Sequence, residues 1–278
     1  MGRRAGDVWN PDTYGKFQVE RARPFHDLVD LVAPVPDPSL VDLGCGTGEL
    51  TRVAHARLGA RATVGVDSSE AMLEKARARA APGLSFERGD LADPATWGTP
   101  GPFDLVLSNA AIHWVADHES LLARLAGRLA PGGQLAFQVP ANEEHPSHVA
   151  SREVARLPAH ARALEGFVRE SPVLAPEAYA RILHRLGFAE KRVRAEVYAH
   201  LLPSPEAVVD WVRGTTLTAY EERLGPEAFA RFLDDYRARL LALVPDERPY
   251  LFTFRRILVW GRLSPAAGAG GDPGRRAT

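Results

Sequence analysis

The segment that most constrains this chain is VDLGCGTGEL at residues 41–50. An apolar run reaches Asp42, glycines follow at Gly44, Gly46 and Gly48, and a helix-forming stretch begins at once. Glycines let a backbone turn sharply and approach a ligand closely, and a helix N-terminus offers free N–H groups. The GxGxG spacing is tighter than the GxGxxG of a dinucleotide-binding turn. A carboxylate two residues before the first glycine would repel a diphosphate but can receive a cationic ligand, directly or through water. A plain glycine-rich turn between strand and helix would carry the same glycines, so the loop alone leaves ligand binding open.

The loop sits in a regular rhythm. Short apolar runs at 40–44, 63–67, 84–90, 103–109 and 134–139 alternate with GELTRVAHARLG, SEAMLEKARARA and HESLLARLAGRLA, which have helical patterning. Strand–helix alternation with near-continuous apolar strands predicts an α/β fold, a parallel sheet covered by helices on both faces. LAPGG at 129–133 reads as a helix stop and a turn. Beyond residue 140 the pattern changes. Segment 140–175 is polar, rich in His and Pro, and reads as irregular. A helix is predicted over 175–187, a long strand over 188–202, helix again over 204–244 and a final strand over 251–260.

Charge and cysteine content remove several classes. The 34 basic and 35 acidic residues nearly cancel, which disfavours a nucleic-acid or acidic-membrane surface. Lys16, Lys75 and Lys191 are the only lysines. Cys45 is the only cysteine, so an intramolecular disulfide and a cysteine-based metal site are excluded. No apolar run reaches the roughly 18 residues of a membrane span, and the N-terminus has no apolar signal region, so the expected compartment is cytoplasmic. His113, His118, His145 and His148 invite a zinc reading. The HxxH at 145–148 lacks the HExxH pattern, however, and Pro146 argues against a clean helix there.

Further polar residues fall at predicted strand ends. Asp67 follows Gly44 by 23 residues, where a carboxylate can accept ribose hydroxyls. Asp90 can meet an adenine amino group while Leu91 packs on the ring, and Asn109 closes the fourth strand. Singly each could be a helix cap or turn residue. Together, DLGCGTG, GVDSS, GDLAD, FDLVLSNAAIHW and LAPGGQLAF resemble the class I methyltransferases dependent on S-adenosylmethionine (SAM). That resemblance implies a Rossmann-like sheet of seven strands, the last antiparallel, with SAM as cofactor, S-adenosylhomocysteine as product and no metal. It implies cofactor contacts from Asp42, Gly44, Cys45, Gly46, Gly48, Asp67, Ser68, Met72, Asp90, Leu91 and Asn109. The implied organisation is N-terminal lid helices at 1–38, a SAM-binding core at 39–140, and substrate-side helical insertions with one core strand at 141–250. A final core strand follows at 251–262, and a disordered tail at 263–278.

The N-terminal helix would place Tyr14, Phe17, Gln18 and Arg21 on one face, which suits either a lid over a charged small molecule or a helix packed on the sheet. WNPDTY, the ER and RP of 20–24, VDSSEAML, SNAAIHW, ADHESLL, VVDWV and FRRILV extend the resemblance, over about residues 8–262, to the trans-aconitate 2-methyltransferase family. Two features depart from it: His113 before Trp114, and a divergent segment 143–170. The resemblance implies methyl esterification of a small polycarboxylate, trans-aconitate, as small-molecule partner. A carboxylate is ionised at neutral pH and needs no general base. Cations to hold it are sought at Arg21, Arg213, Arg255 and Arg256, of which only one of the last two can face a pocket. Trp114 and Trp211 are candidate walls. A methyltransferase for a hydroxyl or carbon acceptor, with His113 as base, and a non-catalytic SAM-binding protein remain open.

Overall fold

The computed structural model describes residues 18–265. Strands β1 (Ser39–Leu43), β2 (Ala62–Asp67), β3 (Leu84–Arg88) and β4 (Phe103–Asn109) pair in parallel, as does β5 (Leu129–Pro140) with β4. The apolar runs of β1 and β4 are buried on both faces because helices cover each side. Those crossovers are α2 (Glu49–Arg57), α3 (Glu70–Arg77) and α4 (His118–Ala126), with α1 (Gln18–Val29) preceding β1. Ser69 and Asp117 start α3 and α4 by accepting from the Met72 and Ser120 N–H groups at 3.3 and 3.0 Å. The strand order is β3-β2-β1-β4-β5-β7-β6, with β6 (Phe188–Leu202) at the edge. Strand β7 (Tyr250–Leu263) runs antiparallel to both its neighbours, as expected of the last strand. The order reverses between β1 and β4, and their C-terminal ends open the crevice where such sheets bind ligands.

Among the described residues, three large clusters of buried side chains hold most of the fold. On one face, Phe25 and Leu28 of α1 pack with Leu105, Leu107, Leu258 and Trp260. On the other, α4 and α7 (Pro176–Arg185) pack on Val106, Phe137, Ile257 and Val259. A third core gathers α5 (Pro146–Ala155), α8 (Ala207–Arg213) and α9 (Thr218–Leu243) around Trp211, Tyr220, Phe232 and Tyr236. Phe252 and Phe254 of β7 join it, so one strand serves both the sheet and the helical insertion.

The irregular reading of 140–175 was wrong in part. Residues 146–155 form α5 and 158–161 form α6 (Pro158–Ala161). Pro146 and Pro158 each occupy the first helical position, where proline's missing N–H costs nothing, so they start helices there. LAPGG also differs: β5 begins at Leu129, and residues 130–133 bulge between the Phe103–Leu129 and Leu105–Gln134 pairs. Helix 204–244 is two helices, the second kinked at Gly225. The start of the N-terminal helix, Tyr14, Phe17 and most of the tail lie outside the described residues. No helix among those described is long and apolar enough to cross a membrane.

Buried Gln134 ties α1's exit to the sheet. Its Oε1 accepts from the Ala33 N–H and the Trp260 indole, each at 2.8 Å, while its Nε2 donates to the Ala33 carbonyl. Gln134→Leu should orphan these groups and lower stability by about 2–5 kcal/mol, measured by urea denaturation. A loss within 0.5 kcal/mol, on the order of a surface substitution, would show that the linker is held elsewhere.

Candidate functional site

The glycine loop crosses the C-terminal end of β1. The N–H groups of Gly44 and Cys45 both donate to the Val66 carbonyl, which draws the loop against β2. Gly44 has φ 74°, and a Cβ there would lie 2.2 Å from the Ala111 Cβ, so the loop also abuts the segment after β4. Gly46 has φ 56° and nothing within 4 Å of where its Cβ would stand, which leaves its bare Cα facing open space. Asp67 fixes this arc: Oδ2 accepts from Gly46 N at 2.8 Å and Oδ1 from Ser69 N at 2.9 Å. A carboxylate at the end of this strand is placed where a ribose hydroxyl can donate to it.

Asp42 is buried beneath the loop and accepts from the Thr51 hydroxyl at 2.6 Å. Burial pushes its pKa up to about 6; Thr51 opposes this and the Asp67 charge adds to it. Strand β3 stops at Arg88, so Asp90 stands in the following turn, where it is exposed and Oδ1 accepts from Ala92 N at 2.8 Å. That turn joins Asp67 through the Gly89 N–H to Asp67 carbonyl bond. Leu91 is half-buried, Ser68 is exposed beside Asp67, and Met72 is buried in α3. The Cys45 side chain differs from the expectation. It packs with Leu73, Ala76, Leu84 and Phe86 beneath the loop, and burial holds its thiol protonated, so only its backbone belongs to the turn. Two carboxylates, an open glycine arc and no phosphate-binding cation in the loop fit a cationic, phosphate-free cofactor such as SAM.

A second group of residues lies beside this crevice. A single 3₁₀ turn, Ile112–Trp114, follows β4 and presents His113 and Trp114. Both line a cavity of about 400 Å³ with Arg169 and Glu170 of the loop before α7. Trp114 is 42% exposed, and the Arg169 guanidinium lies 5.9 Å from its ring. Glu143 faces Arg169 at 3.5 Å but is held more tightly by Arg152, at 2.9 Å. From β7, buried Arg256 donates to Gln138 Oε1 at 3.0 Å, and Gln138 Nε2 donates to Asn109 Oδ1 at 2.7 Å. Burial pushes the His113 pKa well below its ordinary value, and the charges of Arg169 and Arg256 push it further. A ring so disposed is neutral at pH 7.

Several predicted acceptor residues are not part of this group. Trp211 is 3% exposed in the insertion core against His200, Phe252 and Phe254, because the helix face that carries it is the apolar one. Arg213 emerges at the surface opposite Glu221, at 3.8 Å. Arg255 is exposed on the opposite face of β7 from Arg256, as strand alternation requires. Gln18 and Arg21 lie in α1, and their side chains are outside the described set. His145 caps α5 by accepting from Ser147 N at 3.1 Å, and His148 bonds Thr216, so each has a structural partner. Arg169 was missed. Among so many arginines no pattern distinguished it, and it stands in the divergent segment.

The sheet order, the antiparallel β7 and the carboxylate-flanked glycine loop define a class I SAM-dependent methyltransferase. A family described as "Methyltransferase domain" matches residues 40–133. The fold is shared by the YcgJ protein of Bacillus subtilis, at TM-score 0.59 and 16% identity over 87% of this chain and 98% of that one. A trans-aconitate 2-methyltransferase of Deinococcus radiodurans is 44% identical over 90% of this chain and 96% of its own length. Enzymes of the same name from Streptomyces coelicolor and Mycobacterium tuberculosis are 39% and 36% identical, over 94% and 95% of this chain and 88% and 100% of theirs. This chain belongs to the trans-aconitate 2-methyltransferase family.

Asp67→Ala should weaken SAM binding by about 1.5–3 kcal/mol, the scale of a hydrogen bond to a charged group. Unchanged affinity by calorimetry would remove Asp67 from the site. Asp42 generates a pH-dependent expectation. Its folded pKa of about 6 exceeds the ordinary 3.8, so its contribution to stability is full below about pH 4 and lost as pH rises through 6. Asp42→Asn should therefore match wild type in stability near pH 4. At pH 7.5 it should be more stable, by no more than about 3 kcal/mol, while binding SAM less well. Denaturation curves at the two pH values check this; equal stability at both would show that the buried charge is compensated.

Proposed function

We propose that this methyltransferase esterifies a carboxylate of a small polycarboxylate, trans-aconitate, and that Arg169 and Arg256 hold the acceptor's anionic groups. The observation that carries the reading is Arg169 in one cavity with a neutral His113, on which the charge of buried Arg256 also acts. The names of the full-length relatives point to the same acceptor.

Asp42, Asp67 and the loop backbone from Gly44 to Gly48 would hold SAM, with Asp90 and Leu91 at its adenine end and Asn109 on the other side of the loop, at the end of β4. Bound there, SAM supplies an electrophilic methyl group on a sulfonium. The protein's own work is placement. Arg169 offers a planar fork suited to a carboxylate. Trp114 stiffens that fork by lying against it, and Gln138 anchors Arg256 from beneath. Excluding water from a site whose walls are already charged strengthens these contacts. A carboxylate acceptor carries its charge throughout pH 6–8, so no side chain has to remove a proton.

A labelled-methyl transfer assay across di- and tricarboxylates, with products identified by mass spectrometry, tests the reading. The expected product is a monomethyl ester, formed best from trans-aconitate; transfer to hydroxyl acceptors alone would overturn it. Arg169→Gln should raise the acceptor KM, at a cost of about 2–5 kcal/mol in kcat/KM, and leave affinity for S-adenosylhomocysteine nearly unchanged. Arg169→Lys should recover part of the loss, because an ammonium cannot form the bidentate fork. With SAM saturating, so that the titration of Asp42 near pH 6 does not limit cofactor binding, activity should be flat from about pH 6 to 8. An unchanged KM in Arg169→Gln would place the acceptor elsewhere.

A further inference from the structure

We propose that Tyr220 is a positioning residue for the acceptor: its hydroxyl holds the Arg169 N–H and so fixes where the Arg169 guanidinium stands in the cavity. This rests on the acceptor role proposed above for Arg169 and assigns the group that aims it.

The loop before α7 has to be held from outside. Residues 165–175, EGFVRESPVLA, have neither a strand's nor a helix's periodicity, and Pro172 has no N–H. A segment with no ladder of its own must still place its backbone N–H groups. The Phe167 N–H bonds the Leu164 carbonyl. Beyond it the bonds go to side chains. Arg169 N donates to the Tyr220 hydroxyl at 3.1 Å, Val173 N to Ser171 Oγ at 3.3 Å and Leu174 N to the Tyr179 hydroxyl at 3.2 Å. Two tyrosine hydroxyls, from α9 and α7, therefore bracket the stretch that lines the cavity, residues 169–172.

The two brackets differ in what they carry. Tyr179 also meets His118 Nδ1 at 2.6 Å and packs on the sheet, so its hydroxyl serves α4 as well as the loop. Tyr220 is fully buried in the insertion core. Phe232 stacks on its ring with centroids 4.8 Å apart, and Phe167 meets it edge-on at 5.8 Å. A ring packed in this way gives its hydroxyl one place. Burial raises the Tyr220 pKa, opposed by the Arg169 N–H and by Ser151, so the phenol stays un-ionised near neutral pH. The Arg169 side chain keeps 13% of its surface exposed, with the Trp114 ring 5.9 Å and Glu143 3.5 Å from its guanidinium. Those contacts constrain the head of the side chain, and Tyr220 constrains its root. A shift on the order of 1 Å at the root would carry the whole fork away from a bound carboxylate.

Tyr220→Phe removes the hydroxyl and keeps the ring. It should raise the KM for trans-aconitate, and the Kd measured by calorimetry with S-adenosylhomocysteine bound, by roughly threefold to tenfold, the scale of one hydrogen bond. The kcat should stay within about twofold and S-adenosylhomocysteine affinity should not move, because what is lost is acceptor binding. A structural role alone would lower stability without this split. The decisive arm is a double-mutant cycle. In an Arg169→Gln background, Tyr220→Phe should change the KM by less than about 1.5-fold, since the group it aims is gone, while its effect on urea denaturation persists. Equal effects in both backgrounds would mean that Tyr220 acts through another group, and an unchanged KM in Tyr220→Phe alone would leave it a core residue only; either overturns the proposal. Hydrogen exchange on the wild-type enzyme needs no variant. The Arg169 amide should be protected at least about tenfold against a free loop amide, and unprotected exchange would sink the tether. If Arg169→Gln itself leaves the KM unchanged, the acceptor role of Arg169 fails and this inference falls with it, an outcome read on that single variant before Tyr220 is touched.

Discussion

One buried amide keeps the two halves of the site in register. Gln138 is 1% exposed, and it receives from Arg256 through Oε1 while giving to Asn109 through Nε2. The three residues come from β5, β7 and β4, and they meet because the sheet aligns Asn109 with Gln138 and Arg256 with Pro140. An amide has distinct donor and acceptor ends, so this chain of bonds permits one orientation. Asn109 ends the strand beside the glycine loop, and Arg256 carries a positive charge toward His113. Shifting either neighbouring strand by one residue would turn its polar side chain to the opposite face and break the chain of bonds.

The site is polarised although the protein is nearly neutral overall. Asp42 and Asp67 put negative charge around the glycine loop, while Arg169 in the cavity and buried Arg256 put positive charge near His113. A sulfonium cofactor and a carboxylate acceptor have the opposite polarities. Fixed charges of this kind need no reorganisation when the reactants arrive, and they act most strongly where water is excluded. The strain of burying Asp42 belongs to the same arrangement, because an acid held near its titration point is readied for a cation.

The sheet was largely legible in the sequence because its signals are local. Strand β4 spans the apolar run FDLVLSN from end to end, and β6 coincides with 188–202. The glycine loop and Asp67 were legible for the same reason: backbone turns and strand ends leave marks a few residues long. Arg169 left no such mark. Its role depends on Trp114 and His113 across the crevice, a relation that spacing cannot express. Trp211 and Arg213 misled because an aromatic beside a cation on a short helix looks the same whether the helix lines a pocket or caps a core. Pro146 misled in another way, since a proline that starts a helix and one that ends it are told apart only by whether the residues downstream stay helical.

Strand β7 lies between β5 and β6 and reaches into the core of the helical insertion. The chain emerges from the ribosome with its glycine loop about two hundred residues ahead of Arg256. The β1–β5 ladder comes earlier in the chain, whereas the cation beside His113 arrives on the last of the seven described strands. A chain clipped before β7 would keep the cofactor cradle's own residues but lose Arg256, and with it the far end of the chain of bonds through Gln138 to Asn109.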